Sequence, residues 1–154
     1  MNHWKFAAAA SLLVLAIATG VSAQDVQIYP GAKQFTPPAD EKAMQAMPPG
    51  ATETIYFTHD PYSKVVAFYQ SLGKVRTPPW LKKGATLPNG KPLKETFFIV
   101  DGSTTLTFSK SWAKIQRPYV GAIDMEGSTQ DYHDVRDVTA IFVIQKKQGE
   151  WPER

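Results

Sequence analysis

Apolar residues along this chain fall into three distinct rhythms. From Glu53 to Thr58, Thr54, Tyr56 and Thr58 alternate with Ile55 and Phe57. This is the two-residue period of a strand, carried by β-prone side chains. Immediately after, Tyr62, Val65, Val66, Tyr69 and Leu72 recur at the spacing of one helix face. The pattern predicts a helix from Pro61 to Leu72. Asp60 then sits at the N-cap, Pro61 at the first helical position, and Gly73 where a left-handed cap ends the helix. The third rhythm is an unbroken apolar run. Val138 to Gln145, "VTAIFVIQ", is apolar on both faces of a strand and therefore belongs in the middle of a sheet.

Weaker patterns fill the remainder. Thr96 to Phe108 predicts a hairpin around Asp101-Gly102, a two-residue turn signal. Phe97, Ile99, Leu106 and Phe108 would share one face, and Thr96, Phe98, Val100, Thr105 and Thr107 the other. Lys74 to Arg76 fits a short strand, and Thr77 to Pro92 is rich in turn residues and predicts a loop. Lys110 to Tyr119 fits either element, because Trp112 and Ile115 stand at helical spacing. Lys33 to Ala51 is a proline-flanked connection with helix-forming residues between Ala39 and Met47. The order predicts an α+β fold, an antiparallel β-sheet of about 4–5 strands with one main helix packed on one face, as a two-layer sandwich. A helix of about twelve residues spans ~18 Å and covers one face only. The other face, expected to carry Phe98 and Val100, needs a cover: the tryptophan-bearing loops, a second copy of the chain, or a ligand.

The first 23 residues have a different character. A short basic start with Lys5 precedes the uncharged apolar stretch Phe6 to Ala18, and Val21-Ser22-Ala23 offers small residues for signal peptidase. The expectation is a cleaved secretory signal over residues 1–23 and a single α+β domain over 24–154. The apolar stretch is shorter than the ~20 residues of a membrane span. The chain has no cysteine. This excludes a disulfide framework, a thiolate metal site, a cysteine nucleophile and a cysteine-borne lipid anchor. An exported chain without disulfides suits a periplasmic or secreted address of the bacterial kind. Its 17 basic and 14 acidic side chains are mixed along the sequence. No basic stripe of the kind that grips nucleic acid is present.

Two stretches carry a resemblance. "IYPGAK", Ile28 to Lys33, is followed by Thr58, Asp60, Val65, Phe68 and Tyr69 in a T-x-D-x-x-x-x-V-x-x-F-Y pattern. Together they resemble a group of small exported bacterial proteins that open with a YPGA segment and continue with a strand and a VVxFY helix. The resemblance covers about the first half of the mature chain. It implies a fold and an exported address, and it carries over no catalytic residue.

Candidate chemistry is sparse. His59-Asp60 starts a helix more readily than it forms a site, since Asp is a preferred cap and its charge complements the helix dipole. "DYHDVRD" gathers Asp131, His133, Asp134 and Asp137, oxygen and imidazole ligands of the kind that bind zinc, manganese or calcium. Arg136 within the cluster repels a cation and pairs with carboxylates. No G-x-S-x-G elbow or glycine-rich phosphate loop occurs, and no motif asks for a cofactor. Trp80, Phe98, Trp112 and Tyr119 are the candidate ligand- or partner-binding residues, because aromatic side chains suit such contacts. The leading expectation is a non-enzymatic binding or envelope-associated module, with an envelope protein or a second copy as partner. The alternative is a small metal-dependent hydrolase or metal-binding protein using the Asp131–Asp137 cluster.

Overall fold

A computed structural model describes residues 25–36, 50–78, 85–126 and 129–146. The expected signal over 1–23, the short helix between Ala39 and Met47, and Trp80 lie outside the described residues. The described chain contains one helix, α1 (Tyr62–Gln70), and nine strands. They are β1 (Lys33–Phe35), β2 (Ala51–Thr58), β3 (Lys74–Arg76), β4 (Ala85–Thr86), β5 (Pro92–Ile99), β6 (Ser111–Arg117), β7 (Tyr119–Glu126), β8 (Thr129–Arg136) and β9 (Thr139–Lys146).

The architecture is mostly antiparallel sheet with one helix. Six strands run in the order β1-β2-β9-β6-β5-β3, and β4 adds to β5 to complete a seven-stranded sheet. That exceeds the expected four or five, because β1 and β4 lie in segments whose prolines and glycines mask short pairings. β9 pairs with β2 on one side and β6 on the other, as its doubly apolar run requires. β7 and β8 form a separate two-stranded hairpin. Among the described residues no helix is long and apolar enough to cross a membrane.

Two expectations in the middle of the chain are corrected. The hairpin around Asp101-Gly102 does not run to Phe108. β5 pairs with β6, with Ile99 opposite Trp112, and the chain between them is a loop. The Asp101 carboxylate organises that loop. It accepts hydrogen bonds from the Ser103, Lys110 and Ser111 N–H groups and from the Ser109 hydroxyl. Lys110 to Arg117 is accordingly strand from Ser111 onward, and the helical spacing of Trp112 and Ile115 is coincidental.

The two sheet faces differ in what lies on them. On one face Phe98, Val100, Ala113, Ile115, Ile141 and Val143 form a single buried cluster with Val65 and Tyr69 of α1 and with Val26 and Tyr29. Burial of the Tyr69 ring pushes its hydroxyl pKa up to about 12. Phe98 is 0% exposed, and its ring lies 5.6 Å from that of Tyr69. Phe98 and Val100 thus lie beneath the helix, and Phe97 and Ile99 take the opposite face. This reverses the expected assignment. Alternation separates the two sets of side chains but does not say which set a distant helix covers.

The start and end of α1 also depart from the simple reading. Pro61 occupies the N-cap with ψ 144°, and no side chain caps the helix. Its carbonyl accepts the Lys64 and Val65 N–H groups. The Asp60 carboxylate instead ties the turn to the YPGA segment and to the helix surface. It accepts a 2.6 Å hydrogen bond from the Tyr29 hydroxyl and forms a 2.9 Å ion pair with Lys64. The Asp60 N–H donates to the Thr58 hydroxyl. At the other end Gly73 is not in the left-handed region. It is required because a Cβ there would run into the Ile99 carbonyl.

The YPGA segment makes a tight turn. Ala32 N–H donates to the Tyr29 carbonyl at 3.1 Å, and Gly31 at φ +77° supplies the conformation that other residues resist. The turn aims Tyr29 at Phe68, edge to face at 5.3 Å, while its hydroxyl reaches Asp60. The two short motifs are therefore one packed unit.

Candidate functional site

The helix-free face gathers aromatic side chains from several strands. Register places Ile55 and Phe57 of β2 opposite Phe142 and Ala140 of β9. β6 then adds Trp112, Lys114 and Gln116, and β5 adds Glu95, Phe97 and Ile99. Lys114 stands in the middle. Its ammonium lies 3.9 Å from the Phe142 ring centroid and 3.7 Å from Glu95. Desolvation lowers the Lys114 pKa, opposed by the charges of Glu95 and Glu53. The arrangement is a cation held by a ring and a carboxylate on a face that mixes aromatic and polar side chains.

Beside it, at the β1 end of the face, lies a recess of about 110 Å³ lined by Phe35, Ile55, Phe57, Tyr119, Arg136, Val138 and Ala140. Three elements build it. β1 brings Phe35 opposite Ile55. Tyr119, the first residue of β7, follows Pro118 directly after β6 and returns over the face, where its ring stacks on Phe142 at 6.1 Å. β8 ends at Arg136, opposite Tyr119. The rings meet edge to face: Phe35 is 5.4 Å from Tyr119 and 6.4 Å from Phe57. The Arg136 guanidinium covers Phe35 at 4.6 Å.

The polar rim is internally balanced. Arg136 donates from Nε and Nη2 to the two oxygens of Asp134, at 2.7 and 2.9 Å. Asp134 has φ +49°, and a Cβ at Gly121 would stand 2.9 Å from the Asp134 side chain. Gly121 thus permits the close approach that leaves this carboxylate beside Arg136. Desolvation, and then the charge of Asp134, raises the Tyr119 hydroxyl pKa.

The sequence-predicted residues distribute unevenly over this site. Tyr119 lines the recess, and Trp112 lies on the same face with its ring 5.8 Å from Phe97. Phe98 lies beneath the helix, away from both. Of the acidic cluster, Asp134 pairs with Arg136 and Asp137 with Arg117, while Asp131 lies 3.6 Å from His133. Among the described residues no group of three or more His, Asp or Glu side chains is placed to hold a metal ion. His59 is exposed and sits edge-on to Phe57 at 6.1 Å.

Arg117 and Phe35 were not singled out by sequence, and Arg136 only as a partner for carboxylates. Arg117 clamps the turn that holds His59-Asp60. Its Nη1 donates to the Asp60 carbonyl and to Thr139, both at 3.1 Å, and its other nitrogens engage Asp137. The fully buried Thr139 donates to the same Asp60 carbonyl at 2.7 Å. Arg136 had one signal in sequence, its place among carboxylates; Phe35 had none.

No family model matches this chain, and comparison with curated proteins and with solved structures finds no match either.

Proposed function

We propose that this is an exported, non-enzymatic binding module that works with the sheet face turned away from α1. The reading treats the fold as two layers, with the helix sealing one side of the sheet and the other side left for recognition. The observation that carries it is the aromatic-walled recess of about 110 Å³ on that face, with a guanidinium at its rim. Ligand sites are concave and mostly apolar, with few polar groups. This recess has that composition, and its walls are fixed by strands rather than by loops alone. A periplasmic or secreted address is part of the proposal. It rests on the N-terminal segment and on the absence of cysteine, and the resemblance to small exported proteins agrees with it.

The test expresses the chain with its own N-terminus in a bacterial host and analyses the protein that the host delivers. A mass beginning at Gln24 in the periplasm or medium is expected; full-length protein retained inside the cell overturns the address. The isotopically labelled protein is then titrated with a panel of small rings, sugars, amino acids and diacids. Shift changes gathered on β1, β2, β6 and β9 of the helix-free face are expected. A panel that leaves this face unmoved overturns the binding role.

A further inference from the structure

Resting on the reading of this face as the binding surface, we infer that the recess takes a single neutral planar ring with one polar end, of the phenol or small hydroxy-heteroaromatic class, and discriminates against acids. Three observations carry this. The first is size. The recess measures about 110 Å³, below the ~150 Å³ of an apolar protein cavity that encloses benzene, so at most a single ring enters it and part of that ring stays at the open side. One ring fits with its substituent toward the open side, and a fused or sugar-sized body does not. The second is wall chemistry. Phe35, Phe57 and Tyr119 meet edge to face around the recess, the arrangement in which aromatic rings attract one another.

The third observation is charge. An arginine at the mouth of an apolar recess suggests an anion site, but here the guanidinium is already engaged. Its Nε and Nη2 are bound to both oxygens of Asp134. A ligand carboxylate brought to this rim would face the Asp134 carboxylate as well as Arg136, and would lose its hydration for a pair that is already neutral. A neutral hydroxyl escapes that repulsion and can accept from Arg136 Nη1. The Tyr119 hydroxyl borders the same point as Asp134, 3.3 Å from a Cβ placed on Gly121 that would lie 3.2 Å from Asp134 Oδ2, and adds a second neutral polar group at the rim.

The experiment titrates the exported protein separately with phenol, benzoate and benzylamine, following backbone and aromatic shifts of β1, β2, β9 and the Tyr119 region. Phenol is expected to bind with Kd on the order of millimolar, as so small a ring allows, and benzoate at least about tenfold more weakly. Asp134→Asn, which removes the negative charge from the rim and leaves that of Arg136 unbalanced, is expected to reverse the order in favour of benzoate. A companion, Ile55→Phe, fills the recess without altering its charge and is expected to abolish phenol binding; circular dichroism and thermal melting confirm that both variants fold. Benzoate or benzylamine binding the parent protein more tightly than phenol overturns the ligand class and leaves the binding face standing. So does phenol binding elsewhere on the face, unmoved by Ile55→Phe. No ring and no panel member perturbing the face overturns both this inference and the proposed function.

Discussion

Phe97 and Phe98 are adjacent in β5, and they belong to different parts of the molecule. Phe98 is fully buried against Tyr69 and the helix. Phe97 lies half-buried on the other face beside Trp112. The same contrast extends across the sheet. The helix-covered face is filled with Val, Ile, Ala and Tyr side chains and sealed by α1 and the YPGA turn. The other face mixes rings with Lys114, Glu95 and Gln116, and keeps a recess. One face is committed to stability. The other carries a partly exposed ion pair, and such a pair is often no more stabilising than well-packed hydrophobic residues.

The largest effect that tests this contrast is truncation of the two phenylalanines. Phe98→Ala should cost about 3–5 kcal/mol, because it removes a ring from a closed core and leaves a cavity. Phe97→Ala should cost about 1 kcal/mol, since much of its surface already meets water. Urea denaturation of both measures the difference, and equal losses would mean that the faces are not distinct.

Next comes the clamp between the two sides of the β2–α1 turn. Arg117→Ala should cost about 2 kcal/mol by removing the charge-assisted bonds to the Asp60 carbonyl and Asp137. Hydrogen exchange in the first turn of α1 should speed up more than in β5.

Lys114→Met should cost about 1 kcal/mol, reduced from a fully buried value because the Lys114 and Glu95 side chains are 24% and 14% exposed. Lys114→Met combined with Glu95→Leu should recover that loss. A double variant weaker than the single one would show that the ion pair stabilises the open face.

The smallest effect is on pH dependence, where the two faces should respond with opposite sign. Asp60 is held below its ordinary value of 3.8, first by the Tyr29 hydroxyl and then by Lys64. Its stabilisation is complete above that value and is lost as pH falls through the lower folded one. Glu53 is exposed, yet partial desolvation raises its pKa above 4.5, with Lys114 opposing. The folded state therefore binds its proton more readily, and acidification through that raised value relieves a cost. Unfolding measured from pH 7 to pH 3 should show a shallower acid loss in Asp60→Asn and a steeper one in Glu53→Gln. The same slope in both variants would remove this distinction between the faces.

The strongly periodic elements were legible in sequence. β2, α1 and β9 appear within a few residues of where alternation, helical spacing and the doubly apolar run place them. β6 was not, because its open-face positions are Trp112, Lys114 and Gln116, and such a mixture hides the two-residue alternation with Ala113 and Ile115. The site was partly legible. Tyr119 and Trp112 stood out as aromatics in connecting segments, but Phe35 and Arg136 reach the recess from strands nearly a hundred residues apart in sequence. The Asp131–Asp137 cluster was legible as a run of oxygen and imidazole donors, but spacing says nothing of Arg117, which arrives from β6 to pair with Asp137.

The sequence by itself determined the periods of β2, α1 and β9, and that β9 is central. These are local consequences of side-chain alternation and backbone sterics. Tertiary structure alone decided which face of each strand is the core, where Asp60 points, and that rings from β1, β2 and β7 enclose a space beside Arg136. A side chain's environment depends on partners that the chain's path brings together, and no local pattern of residues encodes that path.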